Sequence, residues 1–356
     1  MSTIPRRRRE LALCALPTMT SVLSFVLASV AFHASLAQGF TSPTCHGRSR
    51  SDTRGEISEQ DSWRLAVYRK FHDYAWEKLG YDDSLDNVPE GYESNASPAR
   101  ADSTVVACLR SIDEFPTLGA APDVDNKKSV LRLARSAFLE TQALDDNTPL
   151  ISPMTIHVLN FVLFPSTSIV DGGRPQGFPI LGADIVSLPG NKHLVAIDFQ
   201  PILRVGESTS PQTLLPKRYS AFEERLRDLH SEYERSLPWG GDIPPAAQRF
   251  FSPYALWTRL GDDDAMETVQ SAVWDAFKDY IDVYLDLMKS VQADVDSGKL
   301  EFEDDRDNHV MEGQHDYLSY RRTNDPARPM LKRLYGDEWA EHVIQSILFP
   351  ELTNKF

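Results

Sequence analysis

An aspartate set in an apolar run is the first group in this sequence that could move a proton. Asp184 lies within Ile180–Leu188, where even-numbered positions of a strand share one face, so its neighbours there are Ile180, Gly182, Val186 and Leu188. An unpaired carboxylate on such a face is costly, so it must be paired, protonated or facing a ligand. Desolvation would raise its pKa, which suits a proton donor near neutral pH. Gly182 leaves open space on the same face, as expected where a ligand approaches the backbone. The plainer reading is a structural Asp satisfied by a covering helix.

Asp325 precedes Pro326, and a residue before Pro is pushed out of helical geometry. The pair therefore reads as N-cap plus first helical residue. Asn160 shares a strand face with Ile156, Val158 and Val162 and needs a partner if buried. Asp198 is a weaker candidate of the same kind. His157 points to the opposite face, with no second His or Cys at ligand spacing. No GxGxxG in strand–helix context, Walker loop, HExxH or GxSxG occurs, so redox chemistry would need electrons from outside.

The elements that must hold these residues follow from periodicity. Trp63, Val67, Phe71 and Tyr74 predict a helix over Ser62–Leu79, and Gly80–Arg100 reads as a loop. Strands are predicted at Thr104–Arg110, Val130–Glu140, Thr155–Phe164, Ile180–Leu188 and His193–Gln200, the last two joined by a tight Pro189-Gly190-Asn191 turn. Helices are predicted at Ala221–Leu237, Pro245–Leu260, Met266–Asp296, Gly313–Arg322 and Asp337–Leu348. Strands followed by helices imply an α+β fold. Central strands apolar on both faces imply a three-layer α/β/α sandwich around an antiparallel sheet.

Composition narrows the function classes. The chain has 356 residues and a net charge of -15. Seven of its 37 basic and two of its 52 acidic residues fall in positions 1–55, leaving 30 and 50 and a net of -20 for the body. So acidic a body argues against nucleic acid as a main partner. Of three cysteines only Cys108 lies in the body, too few for an internal disulfide or an iron–sulfur cluster; it reads as a buried small hydrophobe. Arg6–Arg9, the apolar run Leu11–Ala37 and its small-residue exit have the form of a secretory signal peptide over 1–39. Residues 40–58, opening on Phe40 and rich in Ser, Thr and Arg, have transit-peptide composition. The expected organisation is thus leader, transit segment and one domain at 59–356, sent to a plastid, with no membrane association once mature.

Several segments together resemble the ferredoxin-dependent bilin reductases. These are Val158–Pro165, Pro179–Gly190 running on to His193–Pro201, and Tyr317–Arg328 with the Leu-Tyr-Gly and Glu-Trp-Ala-Glu that follow. The resemblance runs from about residue 60 to the C-terminus. Within the family, Leu237–Pro244 and Phe250–Leu260 are similar to the 15,16-dihydrobiliverdin:ferredoxin oxidoreductases that make phycoerythrobilin. Asp123–Lys128 and Leu144–Ser152 look like insertions, and Asp171–Gly177 is long.

The resemblance implies a bilin held between the sheet and the C-terminal helices. It also implies electrons delivered singly by reduced ferredoxin through a bilin radical, protons from protein acids, and neither bound metal nor flavin. It places the catalytic aspartates on Asp184 and Asp325, and Asn160 where the phycocyanobilin-forming member has His. Gly182, Ser252, Trp257, Arg259, Arg321 and Arg328 are the further substrate-binding candidates, the arginines for propionates or for ferredoxin. Lys217-Arg218 and Lys332-Arg333 are candidate basic faces for ferredoxin, and an upstream bilin reductase is a candidate partner. The alternatives are a relative acting on biliverdin, such as a phytochromobilin-forming enzyme, and a non-catalytic bilin carrier or lyase.

Overall fold

The computed structural model describes residues 68–81, 90–97, 100–112, 128–143, 156–188, 190–202, 214–303 and 309–351. The leader, the Asp123–Lys128 insertion except Lys128, and Leu144–Ser152 lie outside the described residues.

A seven-stranded sheet forms the middle layer. Its strands are β1 (Ser94–Ser97), β2 (Arg100–Ile112), β3 (Leu131–Ala143), β4 (His157–Pro165), β7 (Ile180–Leu188), β8 (Lys192–Gln200) and β9 (Leu256–Leu260), in that spatial order. Every neighbouring pair is antiparallel. A small second sheet joins β5 (Ile169–Asp171), β6 (Arg174–Pro175) and β10 (Glu301–Phe302). The β7–β8 turn is tight because Gly190 and Asn191 both adopt left-handed φ, 83° and 55°.

The strands are apolar on both sides, and each side has its own cover. Leu159, Phe161, Ile185 and Val195 pack under α1 (Arg69–Leu79), α2 (Ser220–Tyr233) and α5 (Trp274–Asp296), meeting Phe71, Trp76, Phe277 and Ile281. Gly80, left-handed at φ 84°, ends α1 by donating its N–H to the Glu77 carbonyl. Val158, Val162, Ala137 and Ile180 face the opposite cover, α6 (His309–Asn324), α7 (Arg328–Tyr335) and α8 (Asp337–His342) with the π-helical turn Val343–Leu348. Burying each such large aliphatic or aromatic side chain contributes roughly 1.5–3 kcal/mol. The architecture is therefore the expected α/β/α sandwich. Cys108 is buried in β2, as expected. Among the described residues no helix is long and apolar enough to cross a membrane.

Three local expectations change. Pro245–Leu260 is not one helix: α3 (Pro245–Gln248) is a single turn, and Leu256–Leu260 is the edge strand β9. Ser252 and Pro253 break the helical run, and alternating burial of Leu256, Thr258 and Leu260 suits a strand paired with β8. The Gly80–Arg100 loop contains β1. Arg328–Tyr335, read only as a capped start, is a full helix, α7.

Candidate active site

The sheet register sets the first contacts. Asn160 on β4 sits directly opposite Asp184 on β7, on the face toward α6. Asn160 Nδ2 donates to Asp184 Oδ1 at 2.6 Å. From above, Arg321 in the last turn of α6 reaches down and places Nη1 2.7 Å from Asp184 Oδ2. The Arg321 guanidinium also lies over the Phe349 ring, 4.6 Å from its centroid. The side chains of Arg321 and Asp184 are 13 % and 23 % exposed.

Of the readings open for Asp184, paired, protonated or facing a ligand, the structure shows the paired one, and the partner comes from the covering helix. Arg321, a substrate-contact candidate, is that partner. Helical spacing brings this about: Gln314, Tyr317, Leu318 and Arg321 recur at i, i+3, i+4 and i+7, so one face of α6 meets the sheet.

Asp325 follows α6 immediately and is buried. Its Oδ1 accepts the Ala327 N–H at 2.8 Å, which closes the turn between α6 and α7; this corrects the cap reading of Asp-Pro, since the N-cap of α7 is Ala327 and its first helical residue is Arg328. Burial pushes the Asp325 pKa up; the Arg321 charge pulls it back and Asp184 raises it further. Arg321 thus interacts with two carboxyl groups: Asp184 forms the ion pair, and Asp325 is the one whose pKa burial raises.

A second polar group stands one row along. Asp198 on β8 is opposite Gly182 and fully buried. It accepts the Ser252 N–H at 2.8 Å and the Ser252 hydroxyl at 2.5 Å. Burial pushes its pKa up to about 7, against the downward pull of those hydrogen bonds. Ser252 is therefore engaged in pinning the 250–254 turn to the sheet, and it also accepts the Tyr254 N–H. The space left by Gly182 is occupied by the Gln200 amide: a Cβ built there would stand 2.9 Å from Gln200 Cδ and closer still to Oε1. Burial raises the pKa of Tyr317 on α6 well above the ordinary tyrosine range. Gln200 was not singled out from sequence, although its even position beside Asp198, ahead of Pro201, places it on this face.

Of the remaining candidates, Trp257 continues the cross-strand row of Asn160 and Asp184, opposite Ala196, and Arg259 follows two residues on along the same face. Trp257 on β9 donates its indole N–H to the Gly241 carbonyl at 2.9 Å. Arg259 is exposed, with its guanidinium 5.2 Å from the Trp257 ring centroid. Arg328 is taken by Glu341, at 2.5 Å from Nη1 to Oε1, and donates to the Arg322 carbonyl. It braces α7 against α8. In the basic pairs, Arg218 meets Asp171 at 3.2 Å and Lys332 meets Glu341 at 2.8 Å. Lys217 and Arg333 are exposed.

A family model described as ferredoxin-dependent bilin reductase matches residues 152–350, which span both aspartates and all the strands and helices of the cluster. The chain belongs to the ferredoxin-dependent bilin reductases. The phycoerythrobilin:ferredoxin oxidoreductase of Nostoc punctiforme is 33% identical over 287 residues, 80% of this chain and 93% of that protein. The enzyme of the same name from Parasynechococcus marenigrum is 38% identical over 197 residues, 55% of this chain and 66% of its own. Tomato phytochromobilin synthase, solved in complex with biliverdin, superposes with a TM-score of 0.54 at 25% identity, covering 79% of this chain and 82% of its own. This bilin reductase is accordingly an oxidoreductase acting on a linear tetrapyrrole, with ferredoxin as the electron donor implied by its family.

Proposed function

We propose that this bilin reductase converts 15,16-dihydrobiliverdin to phycoerythrobilin by reducing the A-ring diene. Two electrons arrive singly from reduced ferredoxin, so the substrate passes through a bilin radical; of the two protons taken up, one comes from Asp325 and the other from solvent. The observation that carries the reading is the convergence of Asp184 and Asp325 on Arg321, at the face where α6 covers the sheet. Relatives named for phycoerythrobilin support the product, and Asn160 beside Asp184 fits a two-electron reaction.

Within this reading the two aspartates differ in task. Asp325, biased toward its neutral form by burial, donates a proton to the A-ring side of the bilin. Asp184, ionised against Arg321, accepts pyrrole N–H groups and offsets positive charge on a protonated bilin. Arg321 is a positioning residue that keeps the two carboxyls from repelling one another. Arg259, exposed and stacked beside Trp257, is left as the arginine for a propionate. Retention of both acids weighs against a carrier or lyase.

Anaerobic incubation with reduced ferredoxin and 15,16-dihydrobiliverdin tests the proposal: phycoerythrobilin absorbance is expected, and consumption of biliverdin instead would reject it. The second reading, a phytochromobilin-forming enzyme, draws on the likeness to the tomato enzyme and is the outcome that biliverdin consumption would favour. We also place the mature enzyme in a plastid, freed of residues 1–58. Import of a fluorescent protein fused behind those residues tests that part separately.

A further inference from the structure

Two amide oxygens flank β7 on the face toward α6 without any hydrogen-bond partner. One is Asn160 Oδ1, whose amide nitrogen is already given to Asp184. The other is Gln200 Oε1, on a side chain only 2 % exposed. Buried acceptors left unmatched are uncommon, because each forgoes water and gains nothing in return. Gly182 has no side chain to obstruct the amide, which lies directly over it. What remains open is an acceptor over β7, within the same cluster as Asp184, Arg321 and Asp198.

We propose that Gln200 is a bilin-binding residue, its side-chain oxygen accepting a hydrogen bond from a pyrrole or lactam N–H of the tetrapyrrole. This rests on the proposed use of the face as the bilin site. A linear tetrapyrrole carries several N–H donors along one inner edge, and acceptors on both sides of β7 present a matching row: Asn160 Oδ1, the Asp184 carboxylate and Gln200 Oε1. Gly182 then has a role other than the one its sequence context suggested. It admits the amide that meets the ligand, and the ligand does not fill its space.

The test is titration of the enzyme with 15,16-dihydrobiliverdin in the absence of reduced ferredoxin, following the absorption of the bound pigment. Gln200→Met keeps the volume and removes the acceptor. Loss of one such hydrogen bond is expected to weaken binding about fivefold to tenfold and to displace the bound-pigment band from its wild-type position. Gln200→Glu keeps an acceptor oxygen and is expected to restore both. Wild-type affinity and an unmoved band in Gln200→Met would overturn the proposal while leaving the site reading intact. Failure of the wild-type enzyme to bind the bilin would overturn both. Should Gln200→Met not fold, Gln200→Glu decides alone: weakened binding with a displaced band would count against the acceptor role.

Discussion

The two faces of the sheet hold buried polar groups in contrasting ways. On the α1 and α5 face, a row runs His157, Ser187, His193 in register, capped by Tyr68. Tyr68 and Ser187 hydroxyls lie 2.6 Å apart, Ser187 Oγ lies 2.7 Å from His193 Nδ1, and His193 Nε2 reaches Asn191 at 3.0 Å. Burial lowers both imidazole pKa values to about 4, so this row is neutral. Glu140 stands 3.6 Å from His157, too far for a hydrogen bond, and the neighbouring His193 lowers the His157 pKa further after burial. On the α6 face the cluster is charged, carries raised aspartates and keeps unmatched acceptors. The faces thus differ in charge: one carries an ion pair and aspartates with raised pKa values, the other neutral imidazoles.

The largest expected effect falls on the charged face. Asp325→Asn keeps the acceptor for the Ala327 N–H but has no acidic proton. Turnover is expected to fall about 10²–10⁴-fold, with bilin binding retained, as read by anaerobic assay and pigment titration. Equal kcat in that variant would break the division of labour between the faces.

Next is Arg321→Leu, which leaves Asp184 without its cation. A loss of about 2–3 kcal/mol in urea denaturation is expected, toward the lower side for a pair with partial solvent access. Replacing both partners, Arg321→Leu with Asp184→Leu, should recover much of that stability and none of the activity.

The two faces should also titrate in opposite directions. His157 and His193 have folded pKa values depressed below the unfolded value, so their contribution is complete above about pH 6.5 and is lost as pH falls toward 4. Asp198 has its pKa raised, so its contribution is present below about pH 3.9 and is lost as pH rises toward 7. His193→Asn should flatten the acid limb of a stability–pH curve by roughly 2–3 kcal/mol, and Asp198→Asn should flatten the rise-with-acid component by a similar amount. A common limb in both variants would merge the two faces into one titrating unit.

The smallest effect belongs to the rim. Arg259→Gln should leave stability within about 0.5 kcal/mol and raise the bilin KM severalfold with kcat unchanged, measured by steady-state kinetics. An unchanged KM would remove Arg259 from the binding surface.

Much of this was legible in residue order. Two-faced apolar strands such as Ile180–Leu188 require covers on both sides, so the sandwich followed from period and composition. Parity gave the strand-face neighbours of Asp184 and Asn160; that the two and Asp198 share one face of the sheet came from the register. The 245–260 stretch was not legible as a strand, because its edge pairing depends on β8 and on Asp198 holding Ser252, both distant in the chain. The state of Asp184 was not legible either. Parity gives the neighbours along a strand, but not the arginine that arrives from a helix 137 residues later.

The sequence by itself determined which residues share a face, which runs must be buried, and which family the chain joins, because these depend on local period and on residue type. Only the tertiary structure decided which carboxyl takes the arginine and which has its pKa raised by burial, and that Gln200 stands over Gly182. A pKa and an unmatched acceptor are properties of surroundings, and here those surroundings are assembled from β4, β7, β8 and α6, which lie far apart along the chain.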